Sequence, residues 1–207
     1  MHAAREDRQA AAFDHIGARY DEAFPHKDGQ ISAGEWLLGR LSPGSAVLDL
    51  GCGTGLPTAA QLAGAGHLVT GLDLSAEMVR LARSNVPEAS FRQGDLRDAE
   101  GEYDAVVAFF VLLMLPLREF PDALARVHRA LRPGGLFCLS MVEADLDDVP
   151  IAFLGQEVRV SCLLRDELRA VVEEAGFAVE EEHVLSYAPS TTQAVPEVQL
   201  FLNCRRP

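Results

Sequence analysis

"VLDLGCGTG", residues 47–55, places three glycines at alternate positions directly after a run of apolar residues. The apolar run reads as a buried strand over 46–50, and the glycines as the turn into a following helix. Such a turn lets the backbone approach a ligand closely. The spacing is G-x-G-x-G, whereas the dinucleotide fingerprint is G-x-G-x-x-G. Asp49 precedes the turn. A carboxylate there repels a pyrophosphate and attracts an ammonium or a sulfonium.

Downstream, short apolar strands alternate with helical stretches. A helix is expected over roughly 56–65, a strand over 67–74, a helix capped by Ser75, then strands over 89–95 and 103–110. A helix over about 119–131 stops at "RPGG" (132–135), before a strand over 136–141. This order predicts a parallel sheet covered on both faces. After a helix at 165–177, segments 178–188 and 197–204 have no helix between them and are expected to pair antiparallel at the sheet edge. Upstream, Phe13, Ile16 and Tyr20 recur at helical spacing, "PHKDG" (25–29) breaks that helix, and another starts at 31.

Asp73 ends the second strand, 73 − 51 = 22 residues after the first glycine. That spacing suits a carboxylate accepting both ribose hydroxyls. Asp95 ends the third strand. One aspartate after a strand reads as a turn residue. Asp49, Asp73 and Asp95 together lie at successive strand ends, where open α/β sheets bind ligands.

"VLDLGCGTG", "GLDLSAEMV", "RQGDLRD", "YDAVVAFFVLL" and "ALRPGGLFCLS" together resemble the successive motifs of class I S-adenosylmethionine-dependent methyltransferases. The resemblance covers about residues 46–142 and extends into "LRAVVEEAGF". It implies an α/β, Rossmann-like, mostly parallel sheet of seven strands with an antiparallel last strand, helices on both faces and an N-terminal helical lid. It implies S-adenosyl-L-methionine as cofactor and S-adenosyl-L-homocysteine as product. Gly51, Cys52, Gly53 and Gly55 would then line the methionine and ribose portion, Asp49 would attract the ammonium, and Asp73 would hold the ribose diol. Leu74 and Met78 would flank adenine. Gly94, Asp95 and Leu96 would read its amino edge. Phe109 and Phe110 would border the methyl group. Leu74, Met78 and both phenylalanines read equally as ordinary core.

Methyl transfer from a sulfonium needs alignment and exclusion of water, with a base only where the acceptor is a hydroxyl or a carbon acid. Members of the family often carry a His or an acid beyond the fourth strand. Here that stretch is "VLLMLPL" (111–117), an apolar wall. The catalytic candidates therefore lie elsewhere. Tyr20 and His26 read either as lid residues or as a helix end with a polar loop. Glu143, in "VEADLDDVP" (142–150), is a possible base at a mouth that attracts cations; the plainer reading of that stretch is a solvated acidic loop. His2, His67, His128 and His183 read as structural. The segment 153–161 reads as a connection to the last helix, with Arg159 at its surface.

The formal charge of −13 argues against nucleic acid and anionic membranes as partners. Four scattered cysteines without a CxxC pair argue against zinc or dithiol chemistry, and no metal site is expected. The opening residues lack the apolar core of a secretory signal, and the longest greasy run (105–117) is too short to span a bilayer. These features predict a cytoplasmic, single-domain chain, a monomer or homodimer. Residues 1–44 would form a helical cap, 45–142 the cofactor core, and 143–207 the substrate side and terminal hairpin. The expected function is methylation of a small-molecule acceptor at oxygen or nitrogen. Alternatives are a methyltransferase-like binder without methylation and, less favoured, an NAD-dependent oxidoreductase.

Overall fold

The computed structural model describes residues 2–207. Its strands are β1 (Ala46–Leu50), β2 (Leu68–Asp73), β3 (Ser90–Gln93), β4 (Tyr103–Phe109), β5 (Leu131–Val142), β6 (Leu146–Phe153), β7 (Gln156–Cys162), β8 (Ala178–Tyr187) and β9 (Glu197–Arg205). Its helices are α1 (His2–Ile16), α2 (Arg19–Ala23), α3 (Asp28–Leu38), α4 (Thr58–Gly64), α5 (Ala76–Asn85), α6 (Phe120–Ala130) and α7 (Arg165–Glu174). Seven strands form one sheet in the order β3-β2-β1-β4-β5-β9-β8. β1 to β5 run parallel, and β9 inserts antiparallel between β5 and β8.

Side chains alternate across the pleat, so each strand feeds two cores. Leu48 and Leu50 pack on one face with Val106, Phe137 and Leu139, under Phe120, Leu124 and Val127 of α6 and Leu168 and Val172 of α7. Val47, Val69, Val107 and Cys138 pack on the other, under Trp36 and Leu37 of α3, Ala59 and Leu62 of α4, and Val79 and Ala82 of α5. The α6 residues recur at i, i+4, i+7, the stripe a helix needs to cover a sheet. Each fully buried leucine or phenylalanine contributes about 1.5–3 kcal/mol by leaving water. Ser75 caps α5, its Oγ accepting the Met78 N–H at 3.1 Å, as its position before the apolar stripe predicts.

Two expectations are corrected. Tyr20 does not share a helix with Phe13 and Ile16: Gly17 adopts φ +50°, which ends α1, and Tyr20 stands on the short α2. The stretch 142–161 is neither an acidic loop nor a plain connection. It contains β6 and β7, an antiparallel hairpin separate from the main sheet. Val158, Val160 and Cys162 alternate inward on β7 and are buried, and Ile151 and Phe153 of β6 pack on the core; this period of two drives the hairpin. α1 lies against β7 and α5. A smaller difference is that β5 starts at Leu131 and takes in "RPGG" as an irregular lead.

Candidate active site

A cavity of about 1320 Å³ opens at the carboxyl ends of β1, β2 and β4. The N-terminal helices, the β6–β7 hairpin and the start of β9 close it. Gly51, Cys52 and Gly53 form its floor. Gly51 has φ +65°, and a Cβ there would meet Val111 at 2.6 Å. Gly53 has φ +53°, and a Cβ there would meet nothing within 4 Å. Gly51 is therefore glycine for packing, and Gly53 keeps open the space beside the turn. Gly55 stands off the cavity; its Cβ would press on Val86 at 3.1 Å and on α5.

Asp73 reaches the turn from β2. One oxygen accepts the Gly53 N–H and the other the Ser75 N–H, both at 2.9 Å. Burial pushes its carboxyl up to about 6, against the pull of those two donors. Asp49 lies behind the turn, only 3% exposed. Its Oδ2 has no hydrogen-bond partner. Burial first, and the charge of Asp73 second, push it up to about 8. Two acids set beside a glycine floor, Asp49 buried with an orphaned oxygen and Asp73 half-buried on the cavity wall, form a site that gains from a bound cation. This fits a cofactor carrying an ammonium and a sulfonium, and it would disfavour a pyrophosphate.

Leu74, Met78 and Gly94 border the same end, with Met78 itself 1% exposed. Cys52 lines the floor, and burial raises its thiol so that it stays protonated. Asp95 is not on the cavity wall. Its carboxylate caps the turn Leu96–Asp98 and accepts Arg97 at N (2.7 Å), Nε (2.7 Å) and Nη2 (2.9 Å). Leu96 is 8% exposed and packs in the core. Phe109 and Phe110 border the middle of the cavity. Phe110 has φ +53°, a strained conformation for a side-chain-bearing residue, held by its N–H bond to Ser140 Oγ at 3.1 Å. Its ring meets Phe201 edge-on at 5.7 Å.

Tyr20, His26 and Glu143 all border the cavity. Tyr20 stacks on Phe24 at 5.2 Å, with Lys27 Nζ 5.2 Å from its ring centroid. Burial, then the nearby charge of Glu197, push its phenol well above the ordinary range, so it stays a neutral hydroxyl. His26 sits exposed at the rim. Glu143 is tied to Arg165, accepting its N–H at 3.3 Å and its Nη2 at 3.4 Å. Glu143 thus faces Arg165 at the mouth of the cavity.

Sequence reasoning missed the far half of the cavity. Phe24, Phe153 and Tyr187 stack there, with centroids 5.7 Å apart for both Phe24–Phe153 and Phe24–Tyr187. Glu197 and Gln199 line it from β9, and Gln9 from α1. The signal available was "PEVQLF" (196–201), where Glu197, Gln199 and Phe201 share one face of a strand. Among the described residues, no group of three or more His, Cys, Asp or Glu side chains could hold a metal ion, and no helix is long and apolar enough to cross a membrane.

Comparison with known proteins gives concordant results. A family model described as a methyltransferase domain matches residues 47–135. An uncharacterized methyltransferase of Synechocystis sp. is 35% identical over 164 residues, covering 75% of this chain and 76% of that one. Malonyl-[acyl-carrier protein] O-methyltransferase of Erwinia pyrifoliae is 35% identical over 196 residues, covering 91% of this chain and 71% of its own. Among solved structures, DhpI in complex with SAH superposes with a TM-score of 0.73 at 26% identity, covering 98% and 97% of the two chains. With its glycine floor, its acids at the strand ends and its inserted antiparallel strand, this chain belongs to the class I S-adenosylmethionine-dependent methyltransferases.

Proposed function

We propose that this chain transfers the methyl group of S-adenosyl-L-methionine to oxygen or nitrogen of a small-molecule acceptor. The observation that carries this reading is the size and division of the cavity. Its 1320 Å³ exceeds the roughly 300–1,000 Å³ of a pocket for one ligand. One half is the acidic glycine floor; the other is apolar and aromatic. Gly51, Gly53, Asp49 and Asp73 would hold the cofactor, with Leu74, Met78 and Gly94 at its adenine end. When bound, the cofactor supplies a methyl group already activated by positive sulfur. The chain's own residues align an acceptor with it and exclude water. Phe109 and Phe110 border that meeting point, and the stacked Tyr20, Phe24, Phe153 and Tyr187 wall off solvent. The O-methylating relative from Erwinia supports an oxygen acceptor.

The same reading takes the chain as one domain acting as a monomer or homodimer. Its four free, buried cysteines favour a reducing, cytoplasmic setting. A second reading keeps the cofactor but not the transfer. Its support is the turn after β4, where Leu112, Leu113 and Leu115 are buried and no acid or histidine stands. The NAD alternative loses support from the buried Asp49 behind the glycine turn.

Calorimetry with S-adenosyl-L-homocysteine and with NAD, followed by labelled-methyl transfer across a panel of phenols, alcohols and amines, tests the proposal. S-adenosyl-L-homocysteine binding with methyl transfer to a panel member is expected. Binding without transfer to any acceptor favours the second reading. Binding of NAD alone overturns both.

A further inference from the structure

Besides Glu143, which is paired with Arg165, one further carboxylate outside the cofactor floor borders the cavity. Glu197 opens β9 opposite Tyr187 of β8 in register, so the two side chains leave the same face of the sheet. Gln199, two residues on and 8% exposed, shares that face and donates its Nε2–H to Glu197 Oε1 at 2.7 Å. Both border the cavity. Among the described residues, no lysine, arginine or histidine forms an ion pair with Glu197, unlike Glu143 with Arg165. The charges of Asp73 and Glu197 both act on the Tyr20 phenol, and that of Glu197 also acts on Cys162 of the hairpin. Tyr20 borders the same cavity as Gly53 and Asp73 of the floor and as Glu197.

We propose that Glu197, oriented by Gln199, takes the proton of the methyl acceptor, and that the acceptor is a flat apolar molecule bearing a phenolic or enolic hydroxyl. This rests on the methyltransferase reading above. The rings of Tyr20, Phe24, Phe153 and Tyr187 provide a wall for a planar apolar body. A neutral amine would need no base; a hydroxyl must lose its proton as it reacts. Burial raises Glu197 above the ordinary carboxylate range, and the Gln199 donor limits the rise. A carboxylate so placed is a stronger base than one in water. In the step, the acceptor oxygen bonds the methyl carbon while the carbon–sulfur bond breaks and its electron pair stays on sulfur. The O–H proton passes to Glu197 Oε2. One positive and one negative charge are thereby neutralised, leaving ether, thioether and carboxylic acid.

The full chain, with and without S-adenosyl-L-homocysteine, is titrated with 4-nitrophenol, whose phenol and phenolate differ in absorbance. The neutral phenol is expected to bind, and Glu197→Gln is expected to raise the bound phenolate-to-phenol ratio about tenfold at fixed pH by removing the carboxylate's charge. With an accepted phenol, Glu197→Gln is expected to lower kcat by about 100-fold or more with KM little changed. Gln199→Leu, which takes away the donor, is expected to move the acid limb of the kcat–pH profile to higher pH. No 4-nitrophenol binding at millimolar concentration overturns the proposal. So does an unchanged ratio in Glu197→Gln, an unmoved limb in Gln199→Leu, or an amine methylated in preference to phenols at a rate indifferent to Glu197→Gln. S-adenosyl-L-homocysteine affinity is measured in every variant. Its absence in the unmodified chain strikes the methyltransferase reading, whereas its persistence beside an unchanged ratio strikes only the role of Glu197.

Discussion

Asp73 accepts the backbone N–H of Gly53 at 2.9 Å, so the acid at the tip of β2 holds the glycine turn that follows β1. Its other oxygen holds the N–H of Ser75, ahead of α5. One side chain thus joins the turn, the helix start and the site where a ribose would lie. Asp73→Ala is expected to lower S-adenosyl-L-homocysteine affinity by about 10–100-fold, the worth of a lost hydrogen bond to a charged group. It also leaves two N–H groups without their acceptor, offset in part by removing a buried charge. A loss of about 1–2 kcal/mol in folding stability is expected, read by urea unfolding. Undiminished affinity in calorimetry sinks the ribose assignment.

Asp49 and Asp73 make stability and binding depend on pH in opposite senses. Folding raises Asp73 to about 6 and Asp49 to about 8, from about 3.9 in an unfolded chain. The folded protein therefore holds protons that the unfolded chain releases. This contribution to stability is complete below about pH 4 and is lost as pH rises through the two folded values. The cofactor-free protein should melt at progressively lower temperature from pH 5 to about 8.5, and Asp49→Asn should flatten the upper part of that fall. A bound cation favours both carboxylates ionised, so S-adenosyl-L-methionine should bind more tightly as pH rises over the same window. Binding should release protons, seen as heats that differ between phosphate and Tris buffers. Equal heats in the two would contradict it.

The glycines separate binding from packing. All three have positive φ, so alanine costs about 1–2 kcal/mol in backbone strain at each. At Gly53 the added methyl enters open space, so Gly53→Ala should keep its fold and lose cofactor affinity at least about tenfold, and Gly53→Val should lose binding altogether. At Gly55 the methyl meets Val86 and α5, so Gly55→Ala should cost stability with less effect on affinity. Paired melting curves and calorimetry read the split; matched losses of affinity in the two would refute it.

The parts legible in the sequence are those set by local rules. The strand–glycine–helix order, the Ser75 cap and the missing helix between β8 and β9 are short-range signals, and they produce the sheet seen here. The β6–β7 hairpin was obscured because "EADLDD" (143–148) reads as solvated charge, while Ile151, Phe153, Val158 and Val160 behind it carry the alternation. Asp95 stood in register with Asp49 and Asp73, yet Arg97 two residues on engages its carboxylate. For Glu197 the local signal was only the shared strand face in "PEVQLF"; its environment is made by α2, β7 and β8, all distant in sequence. Long-range contact, not propensity, decides which acid in a strand becomes buried.

One of the fastenings of the roof over the cavity joins α1 to β7. Gln9 of α1, 5% exposed, donates to the Arg159 carbonyl at 2.8 Å and accepts the Arg159 N–H at 3.0 Å. Beside it, Asp148 Oδ1 accepts Arg159 Nε at 2.9 Å and Arg5 Nε at 3.0 Å, and these two guanidiniums hold its carboxyl below the ordinary range. The Gln9 bonds are buried, so Gln9→Ala leaves an N–H and a carbonyl of β7 unsatisfied and should cost about 1–3 kcal/mol. Asp148 is part-exposed, so Asp148→Ala should cost about 1 kcal/mol or less, and less again in high salt. Asp14 keeps α1 tied to α5, accepting the Ser75 Oγ–H at 2.5 Å and the Glu77 N–H at 3.0 Å, so losing Gln9 should loosen α1 against β7 while the sheet stays folded. Amide exchange in α1 and β7 should accelerate at least tenfold in Gln9→Ala, with β1 and β4 unchanged. Faster exchange throughout the sheet would show that the clasp supports the whole fold and not the roof alone.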